Sequence, residues 1–345
     1  MKISYSLKRL SGVILSLVLL AAVIPFSALT TKAEAEANIT DNETEPAADE
    51  DPIVKISLTC ADPQPGQTAP ECTVQAAAYA SSEIIAPTES HAYWEYCDIN
   101  SPLDADWIRM ESDDTFSAGL YYRAIFTDIF DESKYTLSQN VQAYINGKAS
   151  TTPVADIYQD DNEAQYEYVW YVFSDTPTDT FYYDPVQWAV MNGVTTGVIP
   201  TVFSPDTTCS RAQFVTFLWR TYGSPEPETT VNPFTDVAED SYYYKAVLWA
   251  YENNITTGLS STVFGPDYDC LREQIVTFLW RACGEPPVVA DNPFTDVASD
   301  QYYTDAVLWA VSKGITTGTT DTTFSPANNA LRGQVVTFLY RTYAY

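Results

Sequence analysis

Phe234-Thr-Asp-Val-Ala-Glu-Asp-Ser-Tyr242-Tyr-Tyr-Lys-Ala-Val-Leu-Trp249 decides the fold, because this stretch is repeated. Its opening returns as Phe294-Thr-Asp296-Val and, earlier, as Phe173-Ser-Asp175-Thr. Trp188, Trp249 and Trp309 keep the same phase, as do Gly197, Gly258 and Gly318, each preceded by Thr-Thr. Phe203-Ser-Pro205, Phe264-Gly-Pro266 and Phe324-Ser-Pro326 follow, then Arg211, Arg272 and Arg332. The steps are 61 and then 60 residues at every landmark. Self-similarity at a fixed period marks tandem structural units.

Each unit reads as helix, loop, helix. The first helix is expected over about 182–192, 243–253 and 303–313, stopped by Gly193, Asn254 and Gly314, which tolerate the left-handed position past a helix end. The second begins near Ser210, Leu271 and Leu331. Phe214, Val215, Phe217 and Leu218 form its apolar stripe, and the other copies have the same pattern. One hairpin cannot bury that stripe alone, so the copies are expected to share a core.

These landmarks resemble the surface-layer homology (SLH) family: F-x-D-V, an aromatic-led helix, G-I/V-x-x-G, F-x-P, and T-R-A-E opening the second helix. Phe234-Thr-Asp236-Val, Ile255-Thr-Thr-Gly258, Phe264-Gly-Pro266 and Leu271-Arg272-Glu-Gln274 carry the match in the second copy. The resemblance covers about residues 173–345, with repeats at 173–225, 234–285 and 294–345. It implies an all-α module of pseudo-threefold symmetry that anchors a surface protein non-covalently. The ligand it implies is secondary cell-wall polysaccharide of a Gram-positive wall or S-layer, often through a pyruvylated sugar. The arginine of T-R-A-E, here Arg211, Arg272 and Arg332, faces that anion. Gly197, Gly258 and Gly318 belong to the same expected site. Tyr183, Tyr243 and Tyr303 stand for the family's tryptophan and either stack on a sugar or belong to the core.

Charge supports the same site independently. Residues 173–345 hold eight basic residues, six of them at two repeated positions. Arg220, Arg281 and Arg341 fall in the last turn of their helix, where a cation complements the macrodipole. Arg211, Arg272 and Arg332 fall in the first turn, where a cation is disfavoured by roughly 0.3–1 kcal/mol. Either free N–H groups plus the arginine make a carboxylate receptor, or the arginine pairs with an acid such as Asp206 or Asp267. Ser210-Arg-Ala-Gln213 is a capping box, whereas Leu271 and Leu331 cannot cap, leaving Asp269 and Asn329 as substitutes. Glu273 beside Arg272 makes the Arg211 site the one expected to hold an anion best.

The 345 residues carry 17 Lys+Arg against 46 Asp+Glu, a net charge of −29. That excludes a general basic surface for nucleic acid and disfavours anionic lipid. Lys2, Lys8 and Arg9 precede the apolar run Gly12 to Phe26 and the A-x-A sites near Ala35, so residues 1–35 read as a secretory signal peptide. A retained anchor is opposed by the shortness of the run, since a span needs about 20 residues. Residues 36–52 read as an acidic, disordered tether. With no further apolar run and no sortase-type motif, retention on a cell is expected to be non-covalent.

Residues 53–172 read as an Ig-like β-sandwich of six or seven strands: Ile53–Cys60, Thr73–Tyr79, Ala92–Tyr96, Phe116–Phe126, Val141–Ile145 and Tyr166–Phe173. Asn146-Gly147 is a hairpin turn signal. It loosely resembles β-modules beside SLH repeats in anaerobic Gram-positive surface proteins, with no known ligand. Cys60 and Cys72 flank a loop that a disulfide can close, whereas Cys209 and Cys270 share one repeat position with Ala330, which indicates small buried residues. No metal or cofactor is expected. The single histidine, His91, and Cys97 sit at opposite ends of one strand, in a spacing that reads as facing them apart, so a thiol hydrolase is disfavoured. Glu95, Asp104, Asp106, Asp113 and Asp114 offer carboxylates for glycoside hydrolysis, but abundance in an acidic chain selects none. The expected protein is a non-catalytic surface protein; the alternative is an SLH-anchored wall or glycan hydrolase.

Overall fold

A computed structural model describes residues 53–58, 60–69, 77–80, 83–98, 107–131, 137–149, 156–158 and 163–344. The expected signal peptide and tether, Cys72 and its proposed pairing, Thr73 to Ala76, Asp104 and Asp106 lie outside the described residues. Among the described residues ten strands come first: β1 (Ile53–Leu58), β2 (Ala77–Ala80), β3 (Glu83–Ile85), β4 (Glu89–Asp98), β5 (Ile108–Arg109), β6 (Leu120–Ile129), β7 (Leu137–Ile145), β8 (Lys148–Ala149), β9 (Asp156–Tyr158) and β10 (Glu163–Tyr171). They form two five-stranded sheets, ordered β3-β2-β1-β7-β8 and β5-β4-β6-β10-β9. All pairs are antiparallel except β1 with β7. Alternate residues face inward, as period-two strands require. Ile56, Leu58, Val141 and Ile145 of the first sheet share one core with Trp94, Phe126, Tyr166 and Trp170 of the second. Asn146 (φ 52°) and Gly147 (φ 78°) turn β7 into β8, as their sequence signals.

Six helices follow: α1 (Tyr183–Met191), α2 (Arg211–Thr221), α3 (Tyr244–Glu252), α4 (Arg272–Ala282), α5 (Thr304–Ser312) and α6 (Arg332–Tyr343). They make three hairpins whose stripes merge into one core, with Phe214, Val215, Ile275, Val276, Val335 and Val336 fully buried. The three copies close on each other through the segments before α2, α4 and α6. Cys209 N–H donates to Ala330 O (2.9 Å), Ala330 to Cys270 O (2.9 Å) and Cys270 to Cys209 O (2.8 Å). This triangle of backbone bonds leaves no room for large side chains, and Cys209, Cys270 and Ala330 are all fully buried. Burial pushes the Cys209 thiol up to about 12, so it stays protonated.

The β-module is continuous with the first hairpin. Tyr171 at the end of β10 exchanges two backbone hydrogen bonds with the Gln187 amide of α1 (2.9 and 2.6 Å), and its hydroxyl donates to Pro200 O (2.5 Å). Lys148 of β8 pairs with Asp184 of α1 (2.6 Å). Cys97, Tyr121 and Tyr171 belong to the helical core and not to the core between the sheets.

Candidate functional site

The F-x-D and F-x-P motifs form a clasp in each repeat. Phe203 and Ser204 N–H donate to the Asp175 carboxylate (2.9 and 2.6 Å), Phe264 and Gly265 to Asp236 (2.9 and 2.7 Å), and Phe324 and Ser325 to Asp296 (2.8 and 2.7 Å). The clasp fixes the loop between the helices. Within that loop Gly197, Gly258 and Gly318 hold φ of +87°, +80° and +91°, and a Cβ on Gly258 would lie 2.5 Å from Ser260 O. Only glycine takes this conformation without strain.

Each second helix is capped by another repeat. Arg211 and Ala212 N–H donate to Tyr268 O and Pro266 O (2.9 and 3.0 Å), Arg272 and Glu273 to Asn328 O and Pro326 O (3.0 and 3.0 Å), and Arg332 and Gly333 to Thr207 O and Pro205 O (2.9 and 2.9 Å). The expected free N–H groups for a carboxylate are therefore already occupied. Asp269 and Asn329 do not cap: Asn329 Nδ2 donates to Asp269 (2.6 Å). The Gln274 and Leu271 backbones close that turn themselves, with Gln274 N–H on Leu271 O (3.0 Å). Ser210 does cap, accepting from Gln213 N–H (3.2 Å).

The first-turn arginines reach across the same boundaries. Arg211 Nε donates to Phe264 O (2.9 Å), Arg272 Nε to Phe324 O (2.9 Å) and Arg332 Nε to Phe203 O (3.0 Å). Each guanidinium lies over two phenylalanine rings of the neighbouring repeat, at 4.8 Å from Phe264, Phe324 and Phe203. Their partners are carbonyls and rings, not Asp206 or Asp267. The side chains are almost completely buried. Burial lowers the pKa of all three, that of Arg272 to about 10, which still leaves a cation at neutral pH.

Three equivalent grooves lie between the repeats, with volumes of about 440, 360 and 360 Å³. Each draws on all three copies. The repeat 1 groove combines its Thr195-Thr196-Gly197 loop and Arg220 with Tyr242 of repeat 2 and Arg332 of repeat 3. The repeat 2 groove combines Thr256-Thr257-Gly258 and Arg281 with Tyr302 and Arg211. The repeat 3 groove combines Thr316-Thr317-Gly318 and Arg341 with Phe181 and Arg272. The arginines and glycines singled out by sequence are thus brought together.

Tyr183, Tyr243 and Tyr303 are not among the residues that line the grooves. Tyr183 and Tyr303 are buried, and Tyr243 packs against the helical core. The exposed aromatics of the grooves are Phe181, Tyr242 and Tyr302, each more than half exposed, while Phe217, Phe278 and Phe338 line them from the core side. Tyr183 is also one residue out of phase: the 61-residue step relates Tyr243 to Tyr182, and Tyr242 to Phe181. The step alone does not choose between Tyr182/Tyr243/Tyr303 and Phe181/Tyr242/Tyr302, which are both in phase; the structure places only the second trio in the grooves. Arg220, Arg281 and Arg341 likewise do more than face a helix dipole, donating to Val194 O, Ile255 O and Ile315 O at 3.1–3.3 Å from within the grooves.

The β-module presents different chemistry. Arg123 bridges Glu95 (2.5 Å) and Glu167 (3.0 Å) and lies 4.4 Å from the Trp107 ring. His91 pairs with Glu89 (2.9 Å) and is exposed, whereas Cys97 is buried. Their six-residue step is even, so both lie on one face of β4, contrary to the expectation from sequence. They are nevertheless about 20 Å apart along the strand. Among the described residues no group of three or more His, Cys, Asp or Glu is placed to hold a metal ion, and no helix is long and apolar enough to cross a membrane.

A ring of three helical hairpins, closed by backbone bonds and notched by three composite grooves, defines a triplicated repeat module. Residues 172–215, 233–276 and 293–336 match the family model of the S-layer homology domain, so the chain carries three tandem SLH domains. It is 32% identical over 120 residues to an endoglucanase of Bacillus sp. (strain KSM-635), covering 35% of this chain and 12% of that protein. It is 30% identical over 118 residues to a cell surface protein of Thermoanaerobacter kivui, covering 33% and 16%. An amylopullulanase of Thermoanaerobacterium thermosulfurigenes is 23% identical over 214 residues, covering 60% and 11%. The chain thus spans only a small part of the length of these relatives. SLH domains attach surface proteins to the cell wall and bind its secondary polymers.

Proposed function

We propose that this chain is a secreted, non-catalytic protein held on a Gram-positive cell wall or S-layer by its SLH grooves. The grooves bind secondary cell-wall polysaccharide, with an acidic sugar such as a pyruvylated residue as the recognised group. The observation that carries this reading is the composite groove. A cationic guanidinium, hydroxyls of a Thr-Thr-Gly loop and an exposed aromatic ring meet there, in a chain otherwise dominated by acids. Cations satisfy an anionic substituent and an exposed ring satisfies a sugar face. The β-module is an Ig-like display module; two facing sheets with one parallel pair support that reading. The test is co-sedimentation of the full mature chain with purified walls before and after extraction of the secondary polymer. Binding is expected to be lost on extraction, and equal binding to bare peptidoglycan would overturn the proposal.

Two relatives bear glycosidase names, which favours one alternative: an SLH-anchored wall or glycan hydrolase. A zymogram of the mature chain on purified walls separates the readings. A cleared band supports the hydrolase.

A further inference from the structure

The chain passes from the β-module to the ring without a linker. Val172 packs in the core between the sheets, and the next residue, Phe173, packs in the helical core and opens the first F-x-D motif. Domains joined through an exposed, polar linker move relative to each other by default. Here Tyr121, Tyr171, Phe173 and Phe203 instead form one file of rings, with successive centroids 4.7, 4.7 and 5.8 Å apart, from β6 into the repeat 1 clasp. A Cβ on Gly119, just before β6, would lie 3.0 Å from Thr201 of the repeat 1 loop, so the two surfaces touch without a gap. Lys148, besides its pair with Asp184, lies 5.9 Å from the Tyr168 ring of β10 and 5.6 Å from the Tyr183 ring of α1.

Gln187 carries the argument furthest. The repeat steps place Leu248 and Leu308 at its position in the other two copies. A buried amide in place of a leucine is costly unless its donor and its acceptor are both paired. Gln187 is 4% exposed, and its Nε2 and Oε1 pair with the backbone O and N–H of Tyr171. β9 pairs with β10 only at Glu163, Ala164 and Gln165, so at Tyr171 the strand presents an edge. The Gln187 side chain covers that edge as a further strand would, taking one N–H and one C=O. A glutamine at this place is favourable only while β10 is seated on α1.

We propose that Gln187 locks the β-module onto repeat 1, so that module and ring turn as one rigid body. The function this adds is display at a fixed orientation: whatever the β-module presents keeps a set angle to the three grooves. That consequence rests on the anchoring function proposed above, whereas the lock itself does not.

The test is nitrogen-15 relaxation and residual dipolar couplings of the full mature chain, deuterated. One rotational correlation time and one alignment tensor are expected to fit the amides of β4, β6 and β10 together with those of α1 to α6. Two tensors, or a shorter correlation time for the β-module, overturn the proposal, a result that needs no variant to fold. In Gln187→Leu, which installs the residue of the other two repeats, the Tyr171 amide is expected to exchange with solvent roughly five- to tenfold faster, while the Phe214 amide of α2 keeps its rate. An unchanged Tyr171 rate, or an equal rise at Phe214, overturns the assignment of the lock to Gln187. A chain that keeps one tensor but binds no walls supports the rigid junction and removes the anchoring function. A chain that binds walls with two tensors removes fixed display and leaves anchoring standing.

Discussion

Asp236 and Gly258 show how single residues set the loop on which each groove is built. Asp236 satisfies two backbone N–H groups at once, so Asp236→Ala orphans both and is expected to cost about 3 kcal/mol in denaturant unfolding. Gly258→Ala forces a left-handed alanine against Ser260 O and is expected to cost at least about 1 kcal/mol. Both residues were legible in the sequence, because repetition marks positions where no other residue will do. The groove aromatics were legible only in part. Adjacent tyrosines at 242–244 and 302–303 give two aromatic trios in phase with the repeat, and only the packing of the hairpins decides which one faces the grooves.

A different single residue controls pH behaviour. Asp128 of β6 is buried and accepts from Ser90 and Tyr166 hydroxyls; burial outweighs these bonds and raises its pKa. The folded form therefore holds its proton at higher pH than the unfolded chain. The stability this contributes is full below the unfolded carboxylate pKa, about 3.9, and is lost as pH rises through the raised value. Asp128→Asn is expected to flatten that decline when the β-module's melting temperature is followed upward from pH 4.

At the scale of elements, the helices were legible from periodicity and the sheet from its β-branched and aromatic runs. The short strands β3, β5, β8 and β9, of two or three residues each, were not, since they lack the length for any pattern. Helix capping shows a deeper limit. Leu271 and Leu331 look like broken caps, yet the donors of α4 and α6 are satisfied by carbonyls of another repeat about 55 residues ahead in the chain or far behind it. No local motif encodes such a partner. Ser210 retains a side-chain cap as well, so Ser210→Ala is expected to cost about 1 kcal/mol in unfolding free energy.

At the scale of the whole molecule, closure is the property that matters. Repeat 1 donates to repeat 2, repeat 2 to repeat 3 and repeat 3 back to repeat 1, so no copy is a free end. A chain ending at residue 285 removes the acceptor of Arg272 and two of the three bonds of the backbone triangle. Amide exchange in α2 and α4 is then expected to accelerate together, whereas a linear array would lose protection only at its new end. Every groove would also lose a wall, because each takes residues from three repeats. The number of repeats is plain in the sequence, but the composite nature of the grooves is not, since it follows from which faces meet on closure.

The central claim is that this closed ring holds the protein on the wall through the secondary polymer. Its most direct test is co-sedimentation of the full mature chain with native walls and with the same walls after extraction of that polymer. The chain is expected to pellet with native walls, to stay in the supernatant with extracted ones, and to be released from native walls by added free polymer. Undiminished binding to the extracted walls would contradict the account.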